Sequence, residues 1–231
     1  MNKITIIVPA YQTQDYIEEC LDSIENQTFF KNFNNYEILV GIDGCEKTLN
    51  KLLEIRHKYR NLRIFMMKEN KGLFVTLNTL HEIVNNSEII LKFDSDDIMM
   101  PNLIERILKY VNMYDIIRFK SLNFNNNNIK KTIQGIVPHG VFLMKKNVYD
   151  YVGGYRDWVC GADTDFHYRL VGSKFKEFII NDNLFYRRIH ENSLTQNPKT
   201  NKNSKIRKNY INKLKKGFVK IKPKINSYVE I

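Results

Sequence analysis

Long apolar runs, metal-spaced cysteines and a glycine-rich first loop are all missing from this chain, and each absence removes a class of function. No stretch of the 231 residues approaches the roughly 18 apolar residues of a membrane span. The opening MNKITIIVPAYQ is too short and too quickly polar for a signal peptide. Cys20, Cys45 and Cys160 are an odd number without metal-type spacing. They read as free thiols of a reducing, cytoplasmic compartment, and no zinc site is expected from them. The segment after the first apolar run, VPAYQTQDY, has no glycine, which argues against the triphosphate-cradling loop of a nucleotidyltransferase. Acidic residues are almost absent from the end of the chain. Residues 196–231 hold eleven Lys/Arg and one acid, Glu230, whereas the first 195 residues hold 25 basic and 24 acidic side chains. The net charge of +11 is therefore an appendage on a nearly neutral body, and no nucleic-acid partner is expected.

What is present is a globular composition, 43% hydrophobic and 12% aromatic, with apolar runs alternating with helical patterns. KITIIVPA (3–10), YEILVGID (36–43), LRIFMMK (62–68) and EIILKF (88–93) read as strands. QDYIEECLDSIENQ (14–27), KTLNKLLEIRHKY (47–59) and LFVTLNTLHEIV (73–84) read as helices, the first with Ile17, Leu21 and Ile24 at helical spacing. Such alternation predicts an α/β fold with a mostly parallel central sheet flanked by helices on both faces. Ligands in these sheets sit beyond the carboxyl ends of the strands. Those ends carry Pro9-Ala10-Tyr11, Asp43-Gly44 and Asp94-Ser95-Asp96. After residue 111 the pattern is mixed: two strands flank an Asn-rich turn, NFNNNNI, and a helix is expected from about Thr164 to Val171. The expected division is a body of residues 1–195, made of a nucleotide-binding half (1–111) and an acceptor-binding half (112–195), and a basic tail of 196–231.

The fourth strand ends in DSDD, and the chain turns at Pro101 into a helix. Carboxylates as close as Asp94, Asp96 and Asp97 repel one another, and a hard divalent cation with oxygen ligands relieves that repulsion. The alternative is a set of acidic caps that complements a helix dipole.

ITIIVPAYQ, ILVGIDG, ENKGLFVTLN, IILKFDSDD, GGYRDWVCGADTDFHYRL and YRRIHENSLT occur in this order. Together they resemble the family 2 glycosyltransferases of the GT-A fold, over roughly residues 3–195. The resemblance implies Mn²⁺ or Mg²⁺ as cofactor and a nucleotide-sugar donor, usually a UDP-sugar. It also implies a glycan or glycolipid acceptor and transfer with inversion at the anomeric carbon. By position it implies that Pro9, Ala10 and Tyr11 line the nucleotide pocket and that Asp43 accepts from the uracil N–H. Asn70, Lys71 and Gly72 would lie along the nucleotide, and Asp94, with Ser95 beside it, would contact ribose or metal-bound water. Asp96 would bind the metal, His190 would sit on the metal or diphosphate, and Asp163 would be the general base. Gln12, Gly44, Leu77 and Ala162 depart from the family pattern, where Asn, Asp, Arg and Glu are usual. With Ala162 in place of that Glu, Asp165 stays open as the alternative base. On a helix Asp163 and Asp165 point about 200° apart, so only one can face an acceptor. His139 and Trp158 are acceptor-side candidates, Trp158 through stacking on a sugar face. The departures leave open a nucleotide-sugar-binding module without catalysis.

In the tail Ile206, Tyr210, Leu214 and Phe218 recur every four positions among lysines. This predicts a basic amphipathic helix, lying on a membrane surface, packed on the body through its apolar stripe, or bound to nucleic acid.

Overall fold

The computed structural model describes residues 3–84, 89–125, 132–214 and 216–231. Its first half follows the expected alternation: β1 (Ile4–Ala10), α1 (Ile17–Glu25), β2 (Tyr36–Ile42), α2 (Glu46–Ile55), β3 (Leu62–Met67), α3 (Leu73–Ile83) and β4 (Ile89–Lys92). Then come β5 (Ile98–Met99), α4 (Leu103–Leu108), β6 (Ile116–Asn125), β7 (Thr132–Gln134), β8 (Phe142–Lys145) and α5 (Lys146–Val152). The last elements are α6 (Ala162–Leu170), β9 (Glu177–Ile189), α7 (Lys205–Ile211) and β10 (Tyr228–Glu230). Residue 88 of the expected fourth strand, and 126–131 of the Asn-rich turn and the strand after it, lie outside the described residues.

The strands form one sheet in the order β10-β3-β2-β1-β4-β8-β6-β9-β5, with β7 paired to β6. β1 and β2 are buried along their whole length, as expected of parallel strands covered on both faces. The two-residue period sorts their side chains. Ile4, Ile6 and Val8 join the cluster beneath α1 and α4, with Ile17, Leu21 and Ile104, while Ile7 joins the cluster with Leu77, Val148 and Phe166 of α3, α5 and α6.

The sheet is mixed rather than mostly parallel. β1, β2, β3 and β4 pair in parallel, but β8 runs antiparallel to β4 and β6, and β5 antiparallel to β9. The second half also holds a parallel pair, β6 with β9, but β7, β8 and two helices intervene between those strands, so no simple strand–helix–strand alternation announces it.

The basic tail departs from its expected form. α7 covers only Lys205–Ile211; Gly217, at φ 107°, and Pro223 interrupt any longer helix. Nor is the tail structurally separate, because β10 adds antiparallel to β3. Part of the apolar stripe packs on the body: Tyr210 stacks on Trp158 at 4.5 Å and Phe218 lies 4.2 Å from Tyr151. The body also receives the tail through fully buried Asn78. Its amide donates to the carbonyls of Tyr155 and Lys224, and its Oδ1 accepts from the Tyr155 N–H and the Tyr149 hydroxyl.

Asn78→Ala leaves these buried groups without partners, so it should destabilise the fold by about 2–3 kcal/mol. A urea titration measures this; an unchanged midpoint would show that the hub is dispensable.

Candidate active site

The site is assembled where β1, β2 and β4 end. Ala10 accepts from the Asp43 N–H, joining the ends of β1 and β2. Asp43 is buried, and its two oxygens accept from the backbone N–H groups of Lys71 (2.9 Å) and Gly72 (2.8 Å). It therefore clamps the Asn70–Gly72 loop against the end of β2. Gly44 has φ 66°, and a Cβ there would lie 2.6 Å from the Asn70 nitrogen. That contact explains why glycine stands where an aspartate is usual in the family. Tyr11, just past the end of β1, is exposed and accepts a 3.3 Å hydrogen bond from Gln12. The Lys71 ammonium is paired with Glu69 at 2.7 Å.

The DSDD segment forms a tight turn in which the Asp97 N–H donates to the Asp94 carbonyl. The three acids face different partners. Asp97 is buried and accepts from the Arg188 N–H at 2.9 Å. Burial, reinforced by the charges of Asp96 and Asp94, pushes its carboxyl well above the usual range. Asp94 pairs with Lys92, and burial raises its carboxyl too, against the pull of Lys92. Asp96 keeps about a fifth of its side chain open and lies 2.9 Å from His190 Nε2. Ser95 is buried in the turn.

Arg188 holds this turn against β9. Its Nε donates to the Asp96 carbonyl at 2.9 Å, its guanidinium pairs with Glu19, and it lies over the rings of Tyr16 and Phe124. The β5–β9 pairing, Ile98 opposite Tyr186, delivers it there.

The residues that would hold a divalent cation fit one in part. Among the described residues no three His, Cys, Asp or Glu side chains converge as a complete metal cluster. Asp96 and His190 do approach to 2.9 Å, about the separation of adjacent ligands around an octahedral ion with bonds near 2.1 Å. Mg²⁺ and Mn²⁺ commonly take only one or two protein ligands and complete their shell with water and phosphate, so a two-residue site open to solvent suits them.

The second wall is α6. Asp163 is partly exposed near its start, and its Oδ1 accepts from the Thr164 N–H at 2.9 Å. Asp165, the alternative base, is 2% exposed and takes Arg156 Nε at 3.0 Å and Arg169 Nε at 2.8 Å. Arg169 in turn donates to the Val152 and Gly154 carbonyls. Asp165 is thus a buried brace, not a group open to an acceptor. Ala162 is fully buried beside Phe166, and Leu77 is likewise buried, so neither departure faces the cleft. His139 Nδ1 is 3.4 Å from Thr164 Oγ1, and burial with the nearby Arg118 lowers its imidazole below the ordinary range. Trp158 has one face covered by Tyr210, which closes that face to a sugar.

Sequence reasoning missed three residues here. Lys92 is a charge that interrupts the apolar run IILKF. Arg188 is one of two adjacent arginines on β9, where alternation forces one inward. Gly140 follows His139, and its absent side chain leaves Asp163, Lys92 and Asp94 facing one point, at 3.4, 3.5 and 3.8 Å from the position a Cβ would take.

A sheet with acidic groups at these strand ends is the architecture of the GT-A-like nucleotide-sugar transferases. Residues 5–128, more than half of the chain, match glycosyl transferase family 2, and the chain belongs to that family. It is 35% identical over 113 residues to an uncharacterized glycosyltransferase of Haemophilus influenzae, an alignment covering 48% of this chain and 33% of that protein. The fold is similar to that of Staphylococcus aureus TarS solved with UDP-GlcNAc, with TM-score 0.67, 18% identity, and 83% of this chain and 60% of that chain covered. It is also similar to the mannosyltransferase PcManGT from Pyrobaculum calidifontis, solved with GDP-Man and Mn²⁺, with TM-score 0.70, 15% identity, and coverage of 86% and 61%. The chain thus spans about a third of that Haemophilus relative.

Asp165→Asn should lower stability by roughly 3 kcal/mol, because buried Arg169 and partly exposed Arg156 lose their counter-charge. Asp163→Asn, with a single local hydrogen bond at stake, should stay within about 0.5 kcal/mol of the parent. Parallel thermal melts distinguish the two; equal losses would contradict the assignment of Asp165 as the brace.

Proposed function

We propose that the chain carries the catalytic machinery of a metal-dependent, inverting glycosyltransferase, which moves a sugar from a nucleotide diphosphate, with a UDP-sugar favoured, to a hydroxyl of a glycan or glycolipid. The observation that carries the reading is the placement of Asp163. It faces Asp94 across the gap above Gly140, while Asp96 and His190 stand together at the neighbouring turn.

In this reading Pro9, Ala10 and Tyr11 line the nucleotide pocket. Asp43 fixes the Asn70–Gly72 loop and keeps lone pairs for the N–H of the base. Residues 1–111 hold the donor and 112–195 the acceptor. Asp96 and His190 would hold the divalent cation, which when bound neutralises the charge growing on the departing diphosphate, an effect worth several kcal/mol. Asp163 accepts the proton of the acceptor hydroxyl as its oxygen attacks the anomeric carbon. General-base help of this kind contributes about 10²–10⁴-fold. A single base opposite the leaving group gives one in-line displacement, hence inversion. His139, beside Thr164, borders the acceptor side.

Asp163→Asn should abolish transfer, reducing it at least about 100-fold, while the affinity for UDP measured by calorimetry stays unchanged. Turnover close to the parent would remove Asp163 as the base. A protein that binds UDP-sugars but neither hydrolyses nor transfers them, across many acceptors with Mn²⁺ present, would instead be a binding module.

One observation favours a membrane-surface location for the acceptor. Ile206, Ile211, Phe218 and Val219 are exposed in the tail, interleaved with Lys205, Lys208, Lys213 and Lys220. Apolar groups among cations suit an anionic lipid surface. The full chain should sediment with phosphatidylglycerol-containing vesicles and be released by salt, and replacing those four lysines by glutamine should weaken binding several-fold. No sedimentation at low salt would rule the surface out.

A further inference from the structure

Lys92 closes β4 on the same face as Ile90, two residues before it, and that face packs against the apolar cluster of α3, α5 and α6. A lysine in such a position is costly to bury, yet Lys92 is only 3% exposed. An ammonium carries three N–H donors. One goes to Asp94, and no further acceptor is found for the other two among the described residues. The strand register explains what lies next to it. Lys92 pairs with Phe142, so the residues just before β8 pass beside the end of β4, and the one in contact is Gly140.

A Cβ on Gly140 would lie 3.5 Å from the Lys92 nitrogen, 3.4 Å from Asp163 Oδ2 and 3.8 Å from Asp94 Oδ2. Three polar ends therefore converge on the point that residue 140 leaves without a side chain. The group of three combines one cation with two carboxylates. It offers both donors and acceptors, with two carboxyl groups to one ammonium. That chemistry suits a neutral polyhydroxyl ligand and disfavours an anionic one, whose carboxylate would meet Asp94 and Asp163. The gap lies between Asp163 and the turn that carries Asp96, so the sugar of a bound donor would bridge it.

We propose that Lys92 is a specificity-determining residue of the donor site. It donates to a hydroxyl or acetamido oxygen of a neutral glycosyl group seated over Gly140, while Asp94 accepts from a neighbouring hydroxyl. The inference rests on the donor reading above and adds the class of sugar.

Calorimetry of the full chain with Mn²⁺ tests it, using UDP, UDP-glucose, UDP-GlcNAc and UDP-glucuronate as probes. The parent should bind at least one of the two neutral UDP-sugars about tenfold more tightly than UDP-glucuronate. Lys92→Met should weaken that neutral sugar nucleotide about tenfold, as expected for loss of a charged hydrogen bond, and leave UDP within twofold. Gly140→Ala, whose methyl meets only ordinary contacts, should show the same split and carries the test if Lys92→Met does not fold. Equal losses for UDP and the sugar nucleotide would place these residues in the nucleotide site and overturn the proposal. So would unchanged affinities, or tighter binding of UDP-glucuronate. Absence of UDP binding by the parent would overturn the donor reading itself, and this inference with it.

Discussion

Arg188 is the contact on which the acidic turn depends. Asp94, Asp96 and Asp97 lie within four residues of chain, two of them driven toward protonation by burial and by one another. Left alone, such a turn would open into water. One buried arginine prevents this by acting through three groups at once: its N–H on Asp97, its Nε on the Asp96 carbonyl and its guanidinium on Glu19. Lys92 holds Asp94 through its ammonium, as the main-chain N–H of Arg188 holds Asp97. Asp96 is thereby left as the acid of the turn whose nearest strong partner is an imidazole.

The division of labour among acids repeats on α6. Asp165 is spent on Arg156 and Arg169, and through Arg169 it fastens the chain at Val152 and Gly154. Asp163, two residues earlier on the helix, is turned to the other side. The periodicity of the helix does the sorting: one carboxylate stiffens the wall and the other stands in the opening. A glutamate at position 162 would have to enter the cluster around Phe166, where Ala162 is fully buried.

Much of this was legible in the sequence, and the limits have physical causes. The β1–β4 half was readable because parallel strands buried on both faces leave uninterrupted apolar runs between helices with clear periodicity. The DSDD turn was readable because its charge crowding is local. Antiparallel β8 was not readable, since nothing in FLMK distinguishes the direction in which it joins a sheet. The length of the tail helix was misjudged: its charge pattern suggested one long helix, but Gly217 and Pro223 end it early, and the tail then packs on Trp158, Tyr151 and β3. Lys92 and Gly140 become meaningful only once the register of β4 against β8 brings them together. No local pattern encodes a pairing between residues so far apart in the chain.

That register also bears on the order of assembly. Asp97 meets Arg188 across 91 residues of chain, and Asp96 meets His190 across 94. Contacts of such separation form late, because the entropy of closing a long loop is lost before they reward it. Until β9 docks, the acidic turn sits at the rim of a half-built sheet with its repulsion uncompensated. The opening strands and helices can collapse early as a scaffold, whereas the reactive rim condenses last, in the same step that brings its counter-charges into place.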